Sequence, residues 1–378
     1  MSQTGATLSG SYSGASATPT VVGFKYGTTS GNLTQTVTAT DNSGSFSTNL
    51  TGLTAGTTYY YKAYVTVNGT GDYSSQSETF YGNEYSFTTT AASSNIPTGW
   101  LELPEVTGSE DLVLTMYKTG GITGTDANRN YTMNYSKDRY AALWVAYTLT
   151  ENDVIAGNTG SKNWDINSYV FDGSYQVGVT SNSYPSTYNN ASSYARGHQI
   201  PNADRTSTTT ANNQTYLVTN QTPQLQDKFN ASIWSALEKA GRGFVVTQSS
   251  NTANYNSTFT KTDVLYVITG PCYGKAGTSE TPSYLTSKGT VSPTQVPIPK
   301  YYWKVFLKVR WNGNAVDEAC AIGFWFVHQE YDNSTYTNYI QSVNQIETWT
   351  GFNLFANLPD SIEETVESNT NWDTFRTF

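Results

Sequence analysis

One short span of the chain combines three side-chain types that can act on a phosphate ester. The run YARGHQIPNADR at residues 194–205 contains His198, one of only two histidines in 378 residues. An amide-rich block, TNQTPQ at residues 219–224, follows it. A third block then adds the amide of Asn230 and the carboxylate of Glu238. An imidazole, an amide and a carboxylate in this order predict metal-assisted cleavage of a phosphodiester bond.

Each residue type matches one need of that reaction. Hydrolysis requires a base that activates water, positive charge that meets the developing phosphorane, and a stabilised leaving oxygen. His198 is a suitable base at neutral pH, since an unperturbed histidine has a pKa of about 6.5. Mg²⁺ prefers oxygen ligands and keeps several waters, so the amide of Asn230 is a sufficient anchor. Glu238 can hold the waters of the ion without touching it.

The spacing of the third block predicts one α-helix over residues 226–240. Asn230, Trp234 and Glu238 follow one another at intervals of four residues and share a face, with Trp234 expected in the core. Glu238 lies about two turns from Asn230 and leans back toward it, which suits a contact through water. Arg242, one turn later, can reach the same side as a phosphate clamp.

The composition narrows the class of protein. Only 13% of residues are charged, against about 25% in an average soluble domain, and polar uncharged residues and tyrosine replace them. Such chains tend to be rich in β-structure and are common outside the cytoplasm. No apolar run is long enough for a transmembrane helix. Met1 leads directly into polar residues, as after removal of an export signal or in a cytoplasmic protein, and the composition favours an extracellular, cell-surface or periplasmic location.

The charge of the chain excludes one mode of binding nucleic acid. A formal net charge of −9 argues against attraction of polyanions by the field of the whole protein. The local balance reverses between residues 196 and 242. There, five cations face three acids: Arg196, Arg205, Lys228, Lys239 and Arg242 against Asp204, Asp227 and Glu238.

Two cysteines, Cys272 and Cys320, permit at most one internal disulfide. Both lie in apolar, strand-like surroundings, so two small buried thiols and one disulfide both remain open. Their number and spacing do not fit a structural zinc site.

The chain divides by composition into two domains and a linker. Residues 1–91 contain no histidine, cysteine or tryptophan, and their short β-prone runs predict an all-β sandwich. A small, polar linker is expected at residues 92–99. Residues 100–378 mix strand and helix patterns and predict an α+β domain. Its strands are expected at residues 142–149, 264–269, 303–309 and 321–327, and further helices at 344–350 and 358–367.

The first domain resembles fibronectin type III and immunoglobulin-like sandwiches. The turn at residues 50–57, the aromatic strand at 58–65 and the closing YSFTT at 85–89 carry this resemblance. The tyrosines at residues 59–64 are expected to alternate between core and surface, and a glycan-stacking face is the alternative. The partner of this domain is left open.

The second domain resembles the DNA/RNA non-specific endonucleases of the ββα-metal (His-Me finger) superfamily. The likeness spans roughly residues 110–365, with further landmarks at 143–147, 267–271, 350–352 and 357–359. The RGH signature and its following residues match at Arg196, Gly197, His198, Pro201, Asp204 and Arg205, and the later family residues match at Asn220, Pro223, Gln224, Asn230, Glu238 and Arg242.

The resemblance implies Mg²⁺-dependent cleavage of DNA and RNA with little sequence preference, with Mn²⁺ or another divalent ion as an alternative cofactor. It implies catalytic roles for His198 as general base and for Arg196 and Glu238. Asn230 would bind the metal directly and Glu238 through water. Asn220 and Arg242 would contact the substrate.

The chain departs from the family pattern at two places. The aspartate before the RGH signature is replaced by Ala195. An arginine expected upstream is absent, and Lys162 is the candidate substitute for substrate contact, although lysine lacks the two-pronged fork of arginine. The alternative function is therefore a surface adhesion or glycan-binding protein with an inactive nuclease fold. His328, and Arg205 as a salt-bridge partner, are expected to be structural.

Overall fold

A computed structural model describes residues 5–13, 18–42, 44–51, 53–54, 57–68, 76–89, 100–107, 110, 112–161, 194–286 and 295–378. The chain forms two compact units, Met1–Ile96 and Pro97–Phe378. Within these ranges, no helix has both the length and the apolar character that a membrane crossing requires. Lys162 lies outside the described residues.

The first unit is built from six antiparallel strands in the order β1-β4-β3-β2-β5-β6. They are β1 (Ala6–Ser11), β2 (Pro19–Gly27), β3 (Gln35–Asn42), β4 (Ser45–Leu50), β5 (Thr58–Asn68) and β6 (Ser77–Thr88). The first part of β3 pairs with β2 and its last residues pair with β4. Aromatic side chains fill the interior, where the rings of Phe24 and Phe46 lie 5.2 Å apart and those of Tyr59 and Phe87 stack at 5.6 Å. The aromatic strand predicted at residues 58–65 is confirmed as part of β5.

The second unit is organised around a seven-stranded antiparallel sheet. Along the chain its strands are β7 (Leu112–Tyr117), β8 (Arg129–Ser136), β9 (Ala141–Leu149), β12 (Leu265–Cys272), β15 (Tyr301–Asn312), β16 (Ala315–Val327) and β17 (Ile340–Gln341). Their order in the sheet is β17-β16-β15-β12-β9-β8-β7. The four strands predicted from apolar runs are confirmed as β9, β12, β15 and β16. Two short ribbons lie outside this sheet: β10 (Tyr194–His198) with β11 (Gln221–Leu225), and β13 (Ser283–Thr286) with β14 (Gln295–Ile298).

Helices cover both faces of the sheet. They are α1 (Glu151–Ile155), α2 (Thr209–Gln214), a π-helix (Gln226–Trp234) that continues directly into α3 (Ser235–Gly243), α4 (Val343–Thr350), α5 (Asp360–Val366) and α6 (Trp372–Thr377). The helix predicted at residues 344–350 is confirmed as α4, which ends where Gly351 adopts a left-handed φ of 79°. The helix predicted from residue 358 begins two residues later, after Pro359.

Alternation along the strands produces two apolar cores. On β15, Tyr302 and Phe306 face the π-helix, α3 and α6, whereas Trp303, Val305 and Leu307 face α4 and α5. Because both faces are covered, the central strands are apolar almost throughout. The second unit thus has helices on both faces of its sheet, and the predicted α+β class is confirmed.

Both cysteines are buried thiols, which decides between the two alternatives. Cys272 ends β12 and Cys320 lies on β16, and β15 runs between these two strands. The two side chains also belong to the cores on opposite faces of the sheet. A disulfide needs Cβ atoms about 4 Å apart, and this placement separates them by a whole strand.

Candidate active site

A two-stranded ribbon and a helix carry the residues singled out in the sequence. β10 and β11 pair antiparallel, with Gly197 opposite Thr222 and His198 opposite Gln221. Both strands pack against the π-helix that contains Asn230. The three sequence blocks therefore fold into one ββα unit, and the pairing of the strands brings the first block beside the second.

Close packing across the ribbon explains the glycine of the RGH run. A Cβ atom on Gly197 would lie 2.2 Å from Oε1 of Gln224 and 2.5 Å from its Cγ. The side chain of Gln224 is fully buried, so it has no room to move away. Gly197 and Gln224, which belong to different sequence blocks, are thus linked by packing.

Arg196 and His198 lie on the same, half-buried side of β10, because successive side chains of a strand alternate. The edge of the His198 ring meets the ring of Tyr216 at a centroid distance of 4.9 Å and an angle of 83°. Burial, and then the charge of Arg196, lower the pKa of His198 to about 4. His198 is therefore neutral at pH 7 and able to accept a proton, as a general base must.

Asn220 holds the loop that follows His198. Its Nδ2 donates to the carbonyl oxygens of Ile200 and Thr215 at 2.9 and 2.8 Å, and its Oδ1 accepts from the amide of Ile200 at 3.0 Å. The residue is fully buried. The predicted contact with substrate stays a prediction, and in the structure the side chain has no exposed surface and binds the loop after His198.

The helix of the third block differs in type from the prediction. Its first nine residues form a π-helix, not the expected α-helix. One carbonyl of this segment, that of Lys228, accepts a hydrogen bond from the amide of Tyr331, a partner outside the helix, at 3.1 Å. Short π-helical stretches often occur at functional sites. This one contains Asn230.

The half-buried side chain of Asn230 has the donor chemistry that a hydrated Mg²⁺ requires. Its Nδ2 donates to Oε1 of Gln226 at 3.4 Å, and no described donor engages its amide oxygen. Across the described residues, no group of three or more His, Cys, Asp or Glu side chains can hold a metal. The side chains present thus fit an ion held by one amide oxygen and water, and not an ion enclosed by protein.

Behind the ββα unit lies a buried network of charges. Nη1 of Arg242 donates to Oδ1 of Asp204 at 2.8 Å, and its Nε donates to Oδ1 of Asn254 at 3.1 Å. The hydroxyl of Tyr147 donates to the second oxygen of Asp204 at 2.9 Å. Arg242 is only 8% exposed. Its predicted role as a phosphate clamp is not supported, because its guanidinium is committed to Asp204 inside the protein.

Glu238 belongs to the same network. Burial raises its pKa to about 7, and the charges of Lys304 and Arg242 oppose that rise. Lys304 was not anticipated, although a lysine inside the apolar run WKVFL was a visible signal. Its ammonium group is fully buried 4.8 Å from the ring centre of Trp234 and has no hydrogen-bond partner among the described residues. Burial lowers the pKa of Lys304, and the neighbouring Glu238 opposes that fall.

Two residues expected to be structural are held by hydrogen bonds inside the protein. Arg205 is fully buried, and its guanidinium donates to the backbone carbonyls of Asn130, Thr148 and Asp204. His328 accepts a hydrogen bond from the amide of Leu225 through Nε2, and its Nδ1 lies 2.9 Å from the carbonyl of Pro299.

Known proteins are similar to much of this chain. A family model described as DNA/RNA non-specific endonuclease matches residues 108–361. A nuclease from Nostoc sp. is 27% identical over 281 residues, covering 70% of this chain and 88% of that protein. A nuclease from Serratia marcescens is 28% identical over 257 residues, covering 66% of this chain and 82% of that protein. A solved structure of the EndoG/EndoGI complex aligns with a TM-score of 0.47 and 17% identity over 61% of this chain and 85% of that one.

Proposed function

Because this chain belongs to the DNA/RNA non-specific endonuclease family, we propose that it is a divalent-metal-dependent enzyme that hydrolyses phosphodiester bonds in both DNA and RNA. The observation that carries the proposal is the placement of His198, neutral at pH 7, on a ribbon that packs against the helix containing Asn230.

In the proposed mechanism, His198 removes the proton from the attacking water. Arg196, on the same side of β10, stabilises negative charge at the phosphate. The amide oxygen of Asn230 would hold Mg²⁺, and Glu238 would orient its waters. A bound ion would supply further positive charge at the phosphate. Lys162 is the proposed upstream contact with the substrate.

Recognition through phosphate predicts scattered cleavage sites, since contacts to the backbone contain no base information. The alternative, a binding protein with an inactive nuclease fold, finds no support in these relatives, which are named nucleases. We also propose that residues 1–91 form a fibronectin type III-like domain, which the antiparallel strand pairing supports, and that the protein acts outside the cytoplasm.

The test is cleavage of plasmid DNA and of RNA with Mg²⁺ and with EDTA. His198→Ala should reduce the rate by roughly 10²–10⁴-fold with the fold intact by circular dichroism. Asn230→Ala should raise the Mg²⁺ concentration needed for half-maximal activity, whereas Asp227→Ala, an exposed change on the same helix, should not. More than a tenth of wild-type activity in His198→Ala would overturn the assignment of the base.

A further inference from the structure

A pocket lies at the end of the central sheet where β9 begins and β12 ends. Its volume is 240 Å³, somewhat below the roughly 300 Å³ at which pockets for drug-sized ligands start. Pro271, Thr350 and Phe352 line it. These residues come from two of the segments that carry the family resemblance, at 267–271 and 350–352. Neither segment has a role in the proposed catalysis. The pocket thus joins two otherwise unassigned parts of the chain.

A buried hydroxyl in this pocket lacks a partner. Tyr273 is only 6% exposed, and its hydroxyl oxygen is buried with no hydrogen-bond partner among the described residues. A buried hydroxyl is costly unless it is hydrogen-bonded. Burial also raises the pKa of Tyr273 well above the usual range, despite the opposing charge of Arg139. The group is therefore a hydrogen-bond donor at neutral pH, and a ligand oxygen in the pocket would satisfy it once the covered hydroxyl turns toward the cavity.

Two cations line the same pocket. The guanidinium of Arg139 lies 5.4 Å from the ring centre of Tyr273 and forms no ion pair with a described carboxylate. The ammonium group of Lys275 lies 4.1 Å from the ring centre of Trp349. Glu280 is the single carboxylate on the lining. It accepts from the amide of Lys275 at 2.9 Å and from the hydroxyl of Tyr301 at 2.8 Å, and these bonds hold its pKa below the usual range, so its charge offsets one of the two cations.

The pocket and the ββα unit contact neighbouring residues of β9. Leu143, on β9, lines the pocket. The preceding residue, Ala142, accepts a hydrogen bond through its carbonyl from Nε2 of Gln199 at 2.7 Å, and Gln199 directly follows His198. Successive residues of β9 face opposite sides of the sheet, so a nucleic-acid strand at His198 would have to pass around this end of the sheet to place another phosphate in the pocket.

We propose that this pocket, here called the Tyr273 pocket, binds a phosphate group of the substrate strand away from the bond that is cleaved. Arg139 supplies the charge, the hydroxyl of Tyr273 supplies a hydrogen bond, and the ring of Phe352 offers a face to the adjoining sugar or base. The identity of the strand rests on the proposed function. The binding of a phosphate group does not rest on it. A free nucleotide is the other possible source of that phosphate, and the experiment must distinguish it from a nucleic-acid strand.

The experiment measures binding in EDTA, so that no cleavage occurs. Inorganic phosphate, thymidine 5′-monophosphate and a twelve-nucleotide DNA are titrated calorimetrically into the full chain. All three should bind to the wild type. Arg139→Gln should weaken phosphate binding by about tenfold or more, since it removes a charge-assisted bond, and Arg139→Lys should recover part of it. Lys137→Gln, an exposed change on the same turn, should have less than about a twofold effect.

Tyr273→Phe separates a ligand contact from a structural role. It should weaken phosphate binding while leaving the melting temperature unchanged or raised, because it removes an unsatisfied buried hydroxyl. Absence of phosphate binding by the wild type overturns the site. Binding by Arg139→Gln and Tyr273→Phe that equals binding by the wild type also overturns it. Binding of phosphate and mononucleotide without the oligonucleotide overturns the strand assignment. If His198→Ala loses cleavage but binds phosphate as the wild type does, the pocket proposal stands. The pocket and the proposed function can therefore be contradicted independently.

Discussion

At the scale of single residues, burial changes what a charged side chain can do. Arg242 lies one turn after Glu238, which from spacing alone suits a phosphate clamp. In the folded chain its guanidinium binds Asp204 and Asn254 in the interior. Its pKa is raised, because the charges of Asp204 and Glu238 outweigh the effect of burial. Arg242 therefore acts on the site by holding the network beneath it.

We predict that Arg242→Met destabilises the protein by about 3–5 kcal/mol, since removing one partner of a buried pair leaves the other charge uncompensated. Urea unfolding followed by circular dichroism measures this. Lys239→Met, an exposed change on the same helix, should stay within about 0.5 kcal/mol of the wild type. Unchanged stability of Arg242→Met together with weaker cleavage of DNA and RNA would restore the phosphate-clamp role.

At the scale of elements, His328 fixes the ββα unit to the central sheet. It follows β16, and its Nε2 accepts from the amide of Leu225, the residue that joins β11 to the π-helix. Its ring also lies against Phe229, beside Asn230, at 5.1 Å, and against Tyr302 at 5.0 Å. This contact needs a neutral imidazole, because a protonated Nε2 cannot accept a hydrogen bond.

A pH dependence follows from this contact. Burial lowers the pKa of His328 to about 4, against about 6.5 in the unfolded chain. Between these values the unfolded state binds the proton more tightly, so the contribution of His328 to stability is lost as pH falls from 6.5 to 4. The stability advantage of the wild type over His328→Gln should therefore shrink over this window, by roughly 1–3 kcal/mol. A pH-independent difference between the two unfolding curves would contradict this.

A cluster of carboxyl groups lies on α4, on α5 and at the residue after α5. Its contribution to stability has the opposite pH dependence. Burial, followed by repulsion from Glu347 and Glu363, raises the pKa of Glu367 to about 10. Glu367 is 5% exposed, and its Oε1 lacks a hydrogen-bond partner among the described residues. Its stabilising contribution is complete below the unfolded pKa of about 4.5 and is lost as pH rises toward 10.

We predict that Glu367→Gln makes the protein more stable than the wild type at pH 8, by about 1–3 kcal/mol, with little difference at pH 4. Chemical unfolding at both pH values measures this. Asp317→Asn, which removes an exposed carboxylate on β16, is the control and should have a much smaller effect. Destabilisation of Glu367→Gln at pH 8 would show that an ionised Glu367 has a favourable partner.

At the scale of the whole molecule, each unit has its own core. Phe24, Phe46 and Phe87 belong to the core of the first unit, and the two cores of the second unit lie on either side of its sheet. All residues proposed for chemistry belong to the second unit. A chain beginning at Pro97 should therefore fold and retain its turnover on short oligonucleotides, compared with the full chain in the same assay. A large loss of turnover in a correctly folded truncation would show that the first unit shapes the site.

The sequence by itself determined the local features of this protein. Apolar runs predicted the four central strands, and the spacing of three blocks predicted a site in which His198 and Asn230 lie on neighbouring elements. Such features depend on periodicity and on short-range pairing, which a single sequence displays directly. The strands β7 and β8 were not predicted. The sequence of β8 mixes polar and aromatic residues without a clear pattern, whereas β7 is a short apolar run, LVLTMY, whose signal was missed.

Only the tertiary structure decided which of these residues remain accessible. Asn220 and Arg242 are bound by Ile200 and Asp204, which lie 20 and 38 residues earlier in the chain. Lys304 enters the network from β15, and the Tyr273 pocket forms where β12 meets the end of α4. The two cysteines are kept apart in the same way, by an intervening strand and by the alternation of faces. Spacing along the chain determines which side chains share a face. Packing against remote elements determines whether that face meets solvent, a partner or another charge.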